Sequence, residues 1–426
     1  MSKYRKTIET IKTVLILLLT INGLFLAWQT GLFSDYYAAF PMVGNLVQVF
    51  RGTTSLPEPD GTIIKEAARP AVIVITDSNG ERFGVRNDID TLNSVYDRTI
   101  TVLSEGLGSA FAASQITEDE WRAALSNPGV YFEYIVPVRL SVLGAWLGTR
   151  VPDIFEDYEI RRLIISFEDK VNRIYFQVHS SGLYFSAETA SATGKPQELN
   201  MYSPNGAMFA YETGFVDSEA PYMLIMPGVY HPNIRSLSVG SQDSLLDEAL
   251  IIFGHYAEAA PRILSGDVLI CVGTEFNISV FPDGRVVYRR TSDDFADDAA
   301  NSLSTIELIE RARAITADSV GLTSGDASVQ FEAFEYDNGE FSVFFGYYIA
   351  GGRVYLNNDS FASTITFSSG EITFAELNFR NFTLTGEYSR LLPERQVFAA
   401  AGGEFILSYF DTGPEVLLPS WVRTWF

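Results

Sequence analysis

The residues able to do chemistry in this 426-residue chain are few: three histidines, one cysteine and a surplus of carboxylates, 53 in all. His179, His231 and His255 lie more than twenty positions apart. None sits in a zinc-protease or paired-cysteine spacing. His255 and Glu258 are three apart at the end of "QDSLLDEALIIFGHYAEA", a stretch of helical period. Two such groups give a metal two ligands at most, so a surface pair is the simpler account. Cys271 stands in the apolar run "GDVLICVG", with no neighbouring base in sequence to lower its pKa. It reads as a buried small hydrophobe, and a lone cysteine excludes a disulfide within the chain.

The remaining motifs for catalysis or cofactor binding are missing or incomplete. No G-x-S-x-G elbow occurs. "SATGKPQ" has a Gly-Lys pair but neither the earlier glycine nor the following hydroxyl of a phosphate loop. "DSNGER" begins like a calcium loop and lacks the closing glutamate, so Asp77–Gly80 is expected to be a β-turn. Carboxylate pairs can be found anywhere among so many acids and decide nothing. The expectation is therefore no catalytic residue, no metal, no cofactor and no enzyme.

Charge and hydropathy say more. Hydrophobic residues make up 47 % and the formal net charge is −23. Four basic residues (Lys3, Arg5, Lys6, Lys12) crowd the first twelve positions against Glu9, so the rest of the chain is more acidic still. Such a body repels polyphosphate, which argues for no nucleic acid partner, and it needs a tether to stay near an anionic membrane. The tether is visible. Residues 13–34, "TVLILLLTINGLFLAWQTGLFS", carry no charge and as a helix would cover roughly 33 Å, enough to cross a bilayer. The basic flank predicts a cytoplasmic N-terminus, with everything from Asp35 onward outside. The competing reading is a cleaved signal peptide; the length of the run and the missing A-x-A site favour an anchor in the cell membrane. Within it, Asn22 is an amide near mid-depth, and Thr20, Gly23 and Ala27 form a small-residue stripe, the pattern of a transmembrane helix contact.

The body reads as α+β: antiparallel sheets with helices laid on them. The expected segments are a basic lead (1–12), the span (13–34), a juxtamembrane linker (35–62), a first α+β domain (63–195), a middle one (196–300) and a C-terminal one (301–426). "PAVIVITDSNGERFGVRND" predicts strand, turn, strand. Leu92, Val95, Thr99, Leu103 and Leu107 fall at helical spacing, and Thr117 with Glu120 forms a capping box. "RRLIISFEDKVNRIYFQVHSSGLYFSAET" predicts a three-strand meander, and Pro282-Asp283-Gly284 a hairpin turn. "FFGYYIAGGRVYLNNDSFASTITFSSGEITF" (Phe344–Phe374) reads as three strands with two turns. The Ser-Gly-Asp triplets at 265 and 324, each following a helix, hint at a duplicated module.

With these residues in place, the chain resembles the YycH family, membrane-anchored accessory proteins of a cell-wall two-component system in low-GC Gram-positive bacteria. The resemblance is carried by "ETIKTVLILLLTINGLFLAWQT", by "EYIVPVRLSVLGAWLG" with "DYEIRRLIISFEDKVNRIYFQV", and by "FSVFFGYYIAGGRVYLNNDSFASTITFSSGEITFAELNF" with "LLPERQVFAAAGGEFILSYFDTGPEVLLPSWV". The last two resemble the terminal domain shared with YycI, closed by Pro-x-Trp, here Pro419 and Trp421. The resemblance implies a non-enzymatic regulator whose partners are a sensor histidine kinase, contacted through the membrane, and a YycI-like sister protein. A second possibility is an anchored binding module for a wall polymer or peptide, which outward-facing aromatic strands would favour and inward-facing ones would not.

Overall fold

The structure, a computed structural model, describes residues 64–424 apart from 168–170, 191–196, 215–219, 256–260, 292–302, 358–359, 402 and 414. The span 13–34 and the contact residues Thr20, Asn22, Gly23 and Ala27 lie outside the described residues. No described helix is long and apolar enough to cross a membrane.

The first sheet is antiparallel, in the order β2-β1-β4-β5-β6-β7-β3. Its strands are β1 (Val72–Thr76), β2 (Arg82–Val85), β3 (Ala110–Ile116), β4 (Gly129–Arg139), β5 (Glu159–Ser166), β6 (Arg173–Val178) and β7 (Tyr184–Thr189). The unbroken apolar run of β1 is explained by burial on both faces. Ile73 and Ile75 join the core formed with helix α2 (Ile89–Gly108), where Leu92, Val95, Thr99, Leu103 and Leu107 are buried as their spacing requires. Val72 and Val74 face the other way, toward Trp121 of α3 (Glu118–Ser126), Phe209 and Leu224. The Thr117–Glu120 capping box is formed. The Asp77 carboxylate accepts from the Asn79 and Glu81 amides, so this loop is the turn the sequence suggests. A short α1 (Lys65–Ala68) and α4 (Leu140–Trp146) complete this half, tied by the Ile64 amide donating to the Trp146 carbonyl at 2.7 Å.

A two-strand ribbon, β8 (Met208–Phe209) with β9 (Leu224–Ile225), lies on the α3 face of the first sheet. Next, β10 (Tyr230–Ser238) leads to helix α5 (Gln242–Ile252). Beyond it the chain builds an 11-stranded sheet. Helix α5 precedes a meander of β11 (Arg262–Ser265), β12 (Val268–Val272), β13 (Phe276–Val280) and β14 (Arg285–Arg290). Helix α6 (Thr305–Thr316) precedes β15 (Ser328–Asp337), β16 (Glu340–Ile349), β17 (Gly352–Leu356), β18 (Ser363–Ser368) and β19 (Glu371–Asn378). The two helix-plus-meander units join last strand to last strand, β14 antiparallel to β19. This is a duplication in element order, with β17 inserted into the second copy. The Ser-Gly-Asp triplets are not equivalent: the first turns β11 into β12, whereas the second precedes β15. Phe344–Phe374 holds parts of four strands, because Ala350-Gly351 turns the chain once more than the sequence suggests.

The chain closes with β20 (Arg380–Arg390), α7 (Glu394–Ala401), β21 (Phe405–Asp411), β22 (Val416–Leu417) and β23 (Ser420–Arg423). β20, β10 and β22 make a small sheet, and β21 pairs in parallel with β17 of the large sheet. Strands from both sides of residue 301 therefore share one sheet, and Ala207, Phe209, Tyr222 and Leu224 pack on the first sheet. The sheets do not follow the sequence boundaries at 195 and 300. Helix α5 also ends earlier than its periodicity suggests. Gly254 takes a left-handed φ of 75° and stops it, so His255 lies past the helix and Glu258 lies outside the described residues. The helix expected to carry both residues thus stops before His255.

Candidate functional site: the charged seam between the sheets

Two strand irregularities bring the two large sheets together. In β4 the pairing with β5 jumps from Glu133↔Arg162 to Val138↔Ile160, so residues 134–137 leave the ladder. In β15 the pairing with β16 skips Glu332. Bulges of this kind re-aim side chains. Here they frame a cleft of about 350 Å³ lined by Glu133, Tyr348, Glu332, Arg353, Arg161 and Glu404, among others.

Glu404, just before β21, accepts a hydrogen bond from Arg161 Nη1 at 2.9 Å and a second from Arg161 Nη2, and Arg162 stands at 3.5 Å. The same two arginines reach Glu133 at 3.3 and 3.1 Å, and the Tyr131 hydroxyl donates to Glu133 at 2.9 Å. Burial alone would raise the Glu404 carboxyl, but Arg161 and Arg162 reverse this and hold it below the usual range. Across the cleft, Arg353 grips Glu332 through Nε and Nη2 at 2.7 and 2.5 Å, and the Tyr348 hydroxyl donates to it at 2.9 Å. Glu332 faces one arginine, and burial wins: its carboxyl is pushed up despite Arg353 and Tyr348. Gly346 makes the arrangement possible, since a Cβ there would collide with the Glu332 carboxylate. A third pair, Arg86 with the buried Glu394 of α7, ties β2's end to the C-terminal elements, and Glu394 also accepts from the Met226 amide at 2.8 Å.

The seam holds charge in matched pairs. Among the described residues it offers no nucleophile beside a base, and no group of three or more metal-ligating side chains occurs. His179 is exposed, while His231 is 4 % exposed and burial lowers its pKa. His255 stacks on Phe276 with ring centroids 3.6 Å apart. Cys271 is buried on β12, and burial pushes its thiol up although Arg262 sits opposite it in register.

Of the residues singled out in sequence, Trp421 is the most informative. It sits in β23 and donates from Nε1 to the Leu392 carbonyl at 3.0 Å. It meets His231 edge-on at 5.2 Å and Phe405 at 5.1 Å. Pro419 beside it is buried. Through His231, Trp421 ties the end of the large sheet to β10. None of the seam carboxylates stands out in sequence, because each meets its arginine across a long stretch of chain.

The aromatics of Phe344–Phe374 divide between two faces. Phe345, Tyr347 and Phe367 are buried in the main core with Ile309 and Ile315 of α6. On the alternate parity, half-buried Phe344 packs on Phe361 at 4.8 Å, and Tyr355 stacks on Phe410, which is 47 % exposed. The Arg353 guanidinium lies 4.3 Å over the Tyr355 ring.

No family model matches the chain, and no curated protein does. Among solved structures, YycH from Bacillus subtilis matches with a TM-score of 0.54 at 13 % identity, over 85 % of this chain and 95 % of that one. The chain therefore shares the fold of YycH.

Proposed function

We propose that this chain is a membrane-anchored, non-enzymatic accessory regulator of a sensor histidine kinase in a cell-wall two-component system, working beside a YycI-like partner. The observation that carries the reading is the fold shared with YycH across 85 % of this chain and 95 % of that one. Three features support it. The body has a core, paired charges and no catalytic constellation in its described part. The 13–34 stretch has the length and flanks of an anchor with its N-terminus in the cytoplasm and the body outside the cell membrane. Within that stretch, Asn22 and the Thr20, Gly23 and Ala27 stripe are what a partner helix would need.

In this reading the outer body sets the pose of the anchor and the anchor biases the kinase helices. A photo-crosslinking residue placed at Asn22 or Gly23 in cells should capture the kinase, whereas one at Leu24 should capture it less. Equal capture from all three positions, or none from any, would overturn the helix contact. The row of half-buried Phe344, Phe361 and Tyr355 with exposed Phe410 favours a second reading, an anchored module that docks a wall polymer or peptide. Alanine at Tyr355 and Phe410 should then release the protein's outer body from isolated wall material; retention unchanged by these substitutions counts against docking.

A further inference from the structure

The larger cavity of the seam is not the charged cleft. On the other side of the β4 bulge lies a space of about 430 Å³, within the range of small-molecule sites. Its walls come from α1, the 134–138 segment, α4, the C-terminal end of α6 and β15. They are mostly apolar: Val136, Val138, Trp146, Leu322, Phe331 and Phe345. Trp146 is fixed on both sides, its Nε1 donating to Glu310 at 2.6 Å and its ring meeting Phe331 edge-on at 5.7 Å.

One charged group in this wall has no ion-pair partner among the described residues, although Glu66 lies within electrostatic reach of it. Arg69, just after α1, is half-buried, and burial pushes its pKa down. Its guanidinium donates to the Asn93 side-chain oxygen at 3.2 Å, and no carboxylate among the described residues forms an ion pair with it. The other arginine of the cavity, Arg313, is held by Glu310 at 2.8 Å. Glu66, the acid that lines the space, is exposed, so water screens its charge. Two buried hydroxyls near Arg69 have no hydrogen-bond partner among the described residues, and of these Tyr134 lines the cavity while Tyr96 lies outside its walls. Tyr96 lies within electrostatic reach of Arg69, and Tyr134 within reach of Tyr96. Arg69 also lines a smaller cavity of about 120 Å³ that shares Ser328 and Gln330 with the large one. A half-buried cation and two stranded hydroxyls are costly unless something polar meets them.

We propose that this cavity binds a small amphipathic carboxylate, with the anion on Arg69 and the apolar body against Val136, Trp146, Leu322 and Phe331. A simple alcohol or amine fits the walls equally well but leaves the guanidinium unmatched. The proposal does not depend on the regulatory reading. It has a mechanical corollary, because α1 lines the cavity and the Ile64 amide is bonded to Trp146. The ligand thus sits against the first described residues of the chain, from Ile64 through α1.

The test uses the full-length protein in lipid nanodiscs, titrated calorimetrically with 4-phenylbutyrate, 4-phenylbutanol and 4-phenylbutylamine against empty discs. The acid should bind at least about tenfold more tightly than the alcohol, the size of one charge-assisted hydrogen bond. Arg69→Gln should bring the acid down to the alcohol's affinity and leave the alcohol unchanged. Arg69→Lys should keep most of the preference, and Leu322→Trp should weaken all three ligands by filling the space. Equal affinity of acid and alcohol in the wild type, a preference that survives Arg69→Gln, or no saturable binding of any probe would each overturn the proposal.

Discussion

Two carboxyls lining the same cleft shift in opposite directions, and the number of facing arginines decides which way. Glu404 faces Arg161 and Arg162, with Arg86 adding to them, and is depressed; Glu332 has one and is raised by burial. Their effects on stability are opposite in sign. Glu404 contributes stability that is present above the ordinary carboxylate range and is lost as pH falls through its depressed pKa. Ionising Glu332 opposes folding, so its contribution declines as pH rises from the ordinary value through the raised one. Glu404→Gln leaves two buried arginines sharing Glu133 and should cost about 3 kcal/mol at neutral pH. In thermal unfolding followed across pH, the gap between wild type and variant should close on the acid side. A gap that stays constant into acid would show that the pair carries no charge-dependent stability. Gly346→Ala should displace Glu332 and loosen Arg353 and Tyr348, costing about 2 kcal/mol. With Glu332→Ala already present the same change should cost far less, so a double-mutant cycle that comes out additive would contradict the packing described. None of this was legible in sequence. Arg161 and Glu404 meet across a separation of 243 residues, and a glutamate in a strand looks like any other surface acid.

At the scale of elements, what could be read was what is encoded locally. The five buried positions of α2 (Leu92, Val95, Thr99, Leu103, Leu107), the Thr117 capping box, the Pro282-Asp283-Gly284 hairpin and the three-strand meander rest on neighbours a few residues apart, and each is present. Helix α5 shows where local reading fails. Its apolar period continues to His255, but Gly254 can adopt a left-handed backbone that stops the helix while Phe253 reaches Tyr288, stacking at 4.2 Å. Gly254→Ala should therefore destabilise by about 1 kcal/mol through backbone strain and not lengthen α5. A variant as stable as wild type, with greater helical circular dichroism, would show that the helix end is set elsewhere. The extra strand β17 was missed although it folds back on β16 across Ala350-Gly351; its other partner, β21, lies some 50 residues on and pairs in parallel.

For the whole molecule, the α+β class and the likeness to YycH were legible from element order, and the structural match bears out that likeness. The arrangement of halves was not, because the large sheet joins strands from both sides of residue 301 through the β14–β19 edge, a pairing between two interiors with no local signature. The proposal to test is that the outer body acts on a sensor kinase through the 13–34 segment. The direct measurement is transcription from the kinase's cell-wall target promoters in cells carrying wild type, Asn22→Leu, Gly23→Leu, or residues 13–34 replaced by poly-leucine, with surface level of the protein held equal. Helix contacts of this sort are worth about 0.6–2 kcal/mol, so each point variant should shift output several-fold toward that of a strain without the protein. The poly-leucine anchor should match that strain. Output unchanged from wild type in all three would contradict the account and leave the 13–34 segment as a tether alone.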